Sequence, residues 1–195
     1  MTSFRRFQQL LPPYRILIIG TTGCGKTTVA VELAKILSLN HFELDAFHWK
    51  PNWQTNSKEE FRSNIERVIY NDKWVIDGNY RSFRDVLWPR ASNLIWLDYP
   101  LRIIILRLIK RSIRRIVFKE TLWNGNISNF RREFLGRNSI LYDSLNTYWF
   151  RKRDYEDALN SKKYLHINVI KLDSPKETKI WLENLKSFWY EGDKH

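Results

Sequence analysis

The chain has 195 residues, 33 Lys and Arg against 21 Asp and Glu, and a formal net charge of +12. That length fits one domain with a sizeable core, and the basic surplus points to anionic partners, either nucleic acid or phosphorylated small molecules. Cys24 is the only cysteine, which excludes an internal disulfide and fits a reducing, cytoplasmic compartment.

The opening MTSFRRFQQLLPPYR has too short an apolar run for a signal peptide. Residues 1–13 read as a short helical arm ended by Pro12-Pro13, ahead of a single domain over 14–195. Ile16-Leu17-Ile18-Ile19 is a buried strand, and Val29, Ala30, Leu33, Ala34 and Leu37 mark one apolar face of a helix. Between them lies GTTGCGKTT, Gly20 to Thr28, in which Gly20, Gly25, Lys26 and Thr27 satisfy the P-loop pattern G-x-x-x-x-G-K-[ST]. Its glycines let backbone N–H groups turn inward around phosphate oxygens, and the helix N-terminus adds a favourable dipole. Thr21, Thr22, Gly23, Cys24 and Thr28 complete that nucleotide-binding loop. Lys26 is expected to reach the β- and γ-phosphates, and the Thr27 hydroxyl to ligate Mg²⁺. Cys24, beside Lys26 and a helix N-terminus, is expected to be partly activated toward thiolate.

His41 to Asp45 reads as a short strand ending in a carboxylate, followed by a loop, AFHWKPNWQTN. Ser57 and Glu60 form a capping box for a helix reaching about Tyr70. Trp74 to Asp77 is another buried strand ending in Asp, with Gly78-Asn79 as a turn and a short helix over Arg81 to Trp88. Leu94 to Asp98 is a fourth strand, and Pro100 opens a helix to about Phe118. The greasiest stretch, Leu94 to Ile109, is broken by Asp98, Arg102 and Arg107, so no membrane span is expected. A polar, glycine-bearing segment at about 119–138 suits a lid. A helix from Ser139 to Leu159, a strand from Tyr164 to Leu172 and a helix capped by Ser174 complete the chain. Strands alternating with helices predict an α/β fold, a five-stranded parallel sheet with helices on both faces. Ligands in such sheets bind beyond the carboxyl ends of the strands, where Asp45, Asp77 and the P-loop all fall.

Asp45 is a candidate to accept a hydroxyl proton, position an acceptor, or hold a Mg²⁺-bound water; a turn-capping Asp is the plainer alternative. Asp77 ends its strand as a Walker B Asp does and would orient Mg²⁺, and the two aspartates are interchangeable on sequence grounds. Arg107, Arg111, Arg114 and Arg115 share helical spacing, with Ile105, Ile109, Ile113 and Ile116 expected on the other side. No acid interrupts Tyr99 to Lys119, so an anion is expected to compensate the cations, as phosphoryl transfer requires. Arg114 and Arg115 read as surface or lid residues. Trp49 and Trp53 either stack on an acceptor, in an acceptor region at about 46–73, or pack the loop. Trp123, Trp149, Trp181 and Trp189 are expected in the core. The four histidines are scattered and suggest no metal cluster.

The P-loop, LDAFHWKPNW, WVIDGNYR and LIWLDYP together resemble the adenylate-kinase-like P-loop kinases, most closely the bacterial DNA topology modulation (FlaR-related) proteins. The likeness spans about 14–185 and implies the P-loop NTPase fold of the nucleoside monophosphate kinase type with a helical lid. Nucleoside monophosphate kinases carry D-G-F-P-R where this chain has Asp77-Gly78-Asn79-Tyr80-Arg81. By that resemblance Arg81 holds an anionic acceptor group, Arg107 and Arg111 clamp the transferring phosphoryl, and Arg131 and Arg132 are lid arginines. Asn79-Tyr80 in place of Phe-Pro implies a reshaped acceptor pocket.

The expected activity is transfer of the γ-phosphoryl group of ATP, with Mg²⁺, to a nucleotide-like or hydroxyl acceptor, Arg81 favouring an anionic small molecule. The alternative is a nucleic-acid-associated ATPase or regulator of DNA topology, resting on the basic charge and the aromatics. No nucleic-acid module is recognisable, and the sequence sets no oligomeric state.

Overall fold

Ile16 and Ile18 point to one side of the sheet and Leu17 and Ile19 to the other, since side chains alternate along a strand. All four are buried, so the strand is covered on both faces. This is β1 (Arg15–Gly20), and it lies at the centre of the sheet. The structure, a computed structural model, describes residues 9–136 and 139–192. Residues 1–8 of the expected arm lie outside the described residues, and 9–13 are not helical.

From β1 the chain passes through the P-loop into α1 (Lys26–Leu37), then β2 (His41–Glu43), α2 (Leu44–His48) and α3 (Lys58–Ile69). Next come β3 (Trp74–Asp77), α4 (Arg84–Leu87), β4 (Asn93–Leu97) and α5 (Leu101–Val117). The segment after α5 holds β5 (Thr121–Leu122), β6 (Asn126–Ile127) and α6 (Phe130–Phe134). The chain continues through α7 (Ile140–Leu159), β7 (Asn168–Leu172) and α8 (Pro175–Gly192).

The main sheet has the order β2-β3-β1-β4-β7, all parallel. On one face, α1, α5 and α8 pack through Val29, Leu33, Ile104, Leu108 and Trp181 onto Ile16, Ile18 and Ile95. On the other, α3 and the C-terminal half of α7 pack Phe61, Ile65 and Tyr155 onto Leu17, Ile19 and Trp96. The capping box at Ser57 and Glu60 is present, each side chain accepting from the other's backbone N–H at 3.1 Å. No helix among the described residues is long and apolar enough to cross a membrane.

Several boundaries differ from expectation. β2 stops at Glu43 because Leu44 turns into α2 and packs against Gly78, whose absent Cβ would meet Leu44 Cβ at 2.6 Å. Asp45 therefore stands in the first turn of a short helix, not at a strand end. The loop after it is partly helical, with α2 and a 3₁₀ turn at Pro51–Trp53. The last strand begins only at Asn168, and Tyr164 instead closes a 3₁₀ turn and packs edge-on against Trp88. The lid is not simply helical, since an antiparallel ribbon, β5 with β6, precedes α6. Arg137 and Asn138, inside the expected lid bounds, lie outside the described residues. Trp149 is 60% exposed rather than in the core.

Candidate active site

A cavity of about 1440 Å³ opens at the carboxyl ends of the strands, walled by the P-loop, α5, the ends of β2 and β3, and the lid. A single drug-sized ligand occupies roughly 300–1,000 Å³, so the space suits two small molecules side by side.

The P-loop contributes Thr22 through Thr28 to the wall; Gly20 and Thr21 sit behind it. Their carbonyls accept hydrogen bonds from Lys26 Nζ at 3.1 and 3.3 Å, so the lysine bridges the loop. Gly25 has φ 104°, and a Cβ there would meet Arg107 Nη1 at 2.9 Å. Only glycine lets that arginine close on the loop, where Nη1 donates to the Cys24 carbonyl at 2.7 Å. Cys24 itself is fully buried, and burial pushes its thiol up, outweighing Lys26 and Arg107. The expected thiolate activation is thereby corrected: the side chain points into the core while the backbone faces the cavity.

Parallel register sets Glu43 beside Asp77, and β1 brings Ile18 alongside Asp77. Asp77 is buried and uses both oxygens: Thr27 Oγ1 donates to Oδ2 at 2.7 Å, and His41 Nε2 lies 2.8 Å from Oδ1. A hydroxyl and a carboxylate are hard oxygen donors of the kind Mg²⁺ takes alongside phosphate oxygens. The pair at Thr27 and Asp77, beside the glycine cradle, fits an Mg-nucleotide. Asp45 also lines the cavity, accepting from the Tyr80 hydroxyl at 2.5 Å. Burial, then the Asp45 charge, raises the Tyr80 pKa, keeping it a neutral donor.

The apolar face of α5 is Ile104 and Leu108, not the expected Ile105, Ile109, Ile113 and Ile116; Ile113 is 51% exposed. The reason is Leu108, which fills the space beneath Gly23, where a Cβ would meet its Cγ at 2.5 Å. That rotation turns Arg107, Arg111 and Arg115 toward the cavity. Arg111 is pushed down to about 10, chiefly by burial and next by Arg115. Arg114 faces solvent more and pairs with Glu120 at 2.7 Å, an acid just past the run expected to lack one.

The segment after α5, the expected lid, rests on residues 46–53. Asn126 Nδ2 donates to Lys50 O at 2.9 Å, its Oδ1 accepts from Trp53 N at 2.7 Å, and Asn124 Nδ2 reaches Ala46 O at 3.2 Å. Trp53 Nε1 donates to Ile127 O at 3.1 Å, and Trp123 Nε1 to Glu43 Oε2 at 2.7 Å. The guanidinium of Arg132 lies 3.7 Å from the Trp53 ring centroid and 4.7 Å from that of Trp49. Both indoles thus line the cavity with a lid cation over them.

Lys26, Thr27, Asp45, Asp77, Trp49, Trp53, Arg107 and Arg111 are brought together. Two expected arginines are not. Arg81 is 67% exposed, pairs with Asp154 at 3.0 Å and stacks on Phe150, outside the cavity wall. Asp154 on α7 also holds Arg84, and that double pairing draws Arg81 away. Arg131 points outward, and its neighbour Arg132 faces the cavity. His41, Glu43 and His48 enter the site without having been singled out; Tyr80 joins them as the partner of Asp45, Arg115 lines the cavity rather than the surface, and Trp123 lines it rather than packing in the core. Arg115 was legible as one helical turn past Arg111; the others depend on packing between distant segments.

A profile of the ATPase family associated with various cellular activities (AAA) matches residues 16–76, less than half of the chain. No curated protein matches the chain in sequence. Among solved structures, a gluconokinase from Sinorhizobium meliloti 1021 is similar at 18% identity and TM-score 0.51, covering 96% of this chain and 99% of that one. A sugar kinase from Janibacter sp. HTCC2649 is similar at 24% identity and TM-score 0.53, over 92% and 95%. A shikimate kinase from Aquifex aeolicus vf5 is similar at 12% identity and TM-score 0.52, over 92% and 97%. With its central P-loop, five-stranded parallel sheet and lid, the chain has the fold of the small-molecule P-loop kinases.

Proposed function

We propose that the protein transfers the γ-phosphoryl group of ATP to a hydroxyl group of a small-molecule acceptor. The observation that carries this reading is the placement of Asp45 and its Tyr80 partner in one cavity with the P-loop and Arg111. Asp45 takes the hydroxyl proton as the acceptor oxygen bonds to phosphorus and the bond to the ADP oxygen breaks. Tyr80 holds the carboxylate in place through one oxygen. Lys26, Arg107 and Arg111 supply positive charge where the transition state spreads its negative charge. Thr27 and Asp77 would hold Mg²⁺, with His41 fixing the Asp77 carboxylate. A bound Mg²⁺ supplies charge neutralisation between the phosphates.

A hydroxyl acceptor is favoured over a nucleoside monophosphate. Arg81, which the resemblance to nucleoside monophosphate kinases assigns to the acceptor phosphate, is held by Asp154 away from the cavity. The Trp49 and Trp53 rings, the candidate base platform, carry the Arg132 guanidinium. The similar solved structures named gluconokinase, sugar kinase and shikimate kinase agree with a hydroxyl acceptor. The closer likeness to DNA topology modulation proteins rests on sequence motifs, and the α5 arginines, part of the basic charge behind the nucleic-acid alternative, line the cavity.

The test is acceptor-dependent ADP formation from Mg-ATP across sugars, polyols, hydroxy acids, nucleosides and nucleoside monophosphates, with wild type and Asp45→Asn. Turnover with a hydroxyl compound, cut by roughly 10²–10⁴ in Asp45→Asn, is expected. Turnover confined to nucleoside monophosphates, or equal in the variant, refutes the reading.

A further inference from the structure

Three arginines on the lid side of the cavity have buried Nε–H groups without a hydrogen-bond acceptor: Arg111, Arg115 and Arg132. All three side chains line the cavity, and none makes an ion pair among the described residues. The nearest candidate partner, Glu133, is fully buried on α6, but Ser112 Oγ donates to one of its oxygens and Ser128 Oγ to the other. Glu133 therefore anchors the lid to α5 with both oxygens engaged by hydroxyls, and its charge, like that of Asp45, reaches the guanidinium groups without a direct hydrogen bond or ion pair. Arg115 is further confined by the Trp123 ring, 5.9 Å from its carbon, and Arg132 by Trp53. Burial lowers the pKa of each and outweighs the nearby carboxylates, Glu133 for all three and Asp45 for Arg111 and Arg115; at Arg111, pushed down to about 10, Arg115 adds like-charge repulsion.

Desolvated, unpaired cations clustered on one wall are unfavourable without an anion. One anion is already assigned, since Arg107 and Arg111 face the transferring phosphoryl. Arg115 lies one helical turn beyond Arg111, about 6 Å along the α5 axis, and Arg132 comes from the lid opposite. Neither is needed at the P-loop, where Arg107 makes the contact.

Resting on the kinase reading above, we propose that Arg115 and Arg132 form an anion subsite for the acceptor, which is a small polyhydroxy compound carrying a carboxylate or phosphate. Its reacting hydroxyl meets Asp45, and its anionic group lies a few carbon–carbon bonds away between α5 and the lid. The role that the resemblance to nucleoside monophosphate kinases implies for Arg81 falls to this pair. Because Arg132 arrives with the lid, and the lid is stitched to the acceptor region through Asn126 and Trp53, an anionic acceptor also favours the closed cavity.

The subsite can be read without turnover, because Trp49, Trp53 and Trp123 line the cavity. With Mg-ADP saturating the P-loop, tryptophan fluorescence is titrated with D-gluconate, inorganic phosphate and D-glucose. A saturable response to gluconate or phosphate, and none to glucose at equal concentration, is expected. Arg115→Met and Arg132→Met should each weaken it at least tenfold, Arg115→Lys should recover part of the loss, and Arg131→Met should leave it unchanged. Arg132→Met also removes a stacking partner of Trp53, so the Arg115 pair tests the charge independently of lid packing. Glucose binding as tightly as gluconate, anion binding that survives both Met variants, or no saturable anion response overturns the subsite. Acceptor-dependent ADP formation on the same samples separates the two proposals. Transfer to neutral and anionic hydroxyl compounds alike sinks the subsite and keeps the kinase. Arginine-dependent anion binding without transfer to any hydroxyl compound does the reverse.

Discussion

Thr27 and Asp77, fifty residues apart in sequence, meet at 2.7 Å, the hydroxyl of one donating to the carboxylate of the other. The contact joins the start of α1 to the end of β3, and on the proposed reading the two residues hold Mg²⁺. Asp77→Asn keeps the shape and removes the charge. It should raise the Mg²⁺ concentration needed for half-maximal turnover at least tenfold, measured by ADP formation across a Mg²⁺ series. An unchanged Mg²⁺ dependence would hand the metal to Asp45.

Arg111 should affect kcat more than ATP affinity, since a clamp on the transferring phosphoryl tightens in the transition state. Arginines in this role contribute on the order of 10³–10⁵ in kcat. Arg111→Ala should approach that loss, and Arg111→Lys should recover only part, because the planar donor is gone. Lys26→Ala should likewise abolish turnover with circular dichroism unchanged. If Arg111→Lys restores full turnover, only charge matters at that position.

Cys24 should resist a bulky maleimide in the folded protein and react on unfolding, because the thiol is buried and its pKa raised by burial. Mass spectrometry with and without denaturant reads this directly. Fast native labelling would mean that the side chain faces the cavity.

Asn126 is buried, with Trp53 N–H on one side of its amide and Lys50 O and Trp123 O on the other. Asn126→Ala removes the side-chain partner of Trp53 N–H and Lys50 O, while Trp123 O keeps the backbone N–H of residue 126, and should cost roughly 1–3 kcal/mol, several degrees of Tm in a chain of this size. Wild-type stability in Asn126→Ala would show that the lid does not rest on the acceptor region.

His48 packs against the rings of Trp49, Phe61 and Tyr80, and burial lowers its pKa, with Asp45 opposing. The unfolded chain binds the proton more readily, so this contribution is present above about pH 6.5 and is lost as pH falls through the folded value. His48→Phe should flatten the fall in stability on acidification, seen in urea midpoints from pH 7.5 to 5. An equal fall in both proteins would place the titration elsewhere.

The P-loop, the sheet class and the capping box could be read from the sequence because each is a local pattern. Strand, turn and helix at Ile16 to Leu37 are set by short-range periodicity and glycine placement, and Ser57 needs only Glu60 three residues on. Asp45, Asp77, Arg107 and Arg111 were singled out because strand ends and helix turns have fixed positions in such a sheet. What periodicity could not supply was the choice between neighbours. Only Leu108 beneath Gly23 sets the rotation of α5 that turns Arg115 inward. Only Asp154, more than seventy residues away, draws Arg81 off the cavity. Which of the two expected lid arginines, Arg131 or Arg132, faces the cavity depends on how α6 lands on Trp53, and the partnership of Tyr80 with Asp45 on how α2 meets the end of β3. These are contacts between segments far apart in sequence, fixed by packing and charge pairing once the sheet has formed.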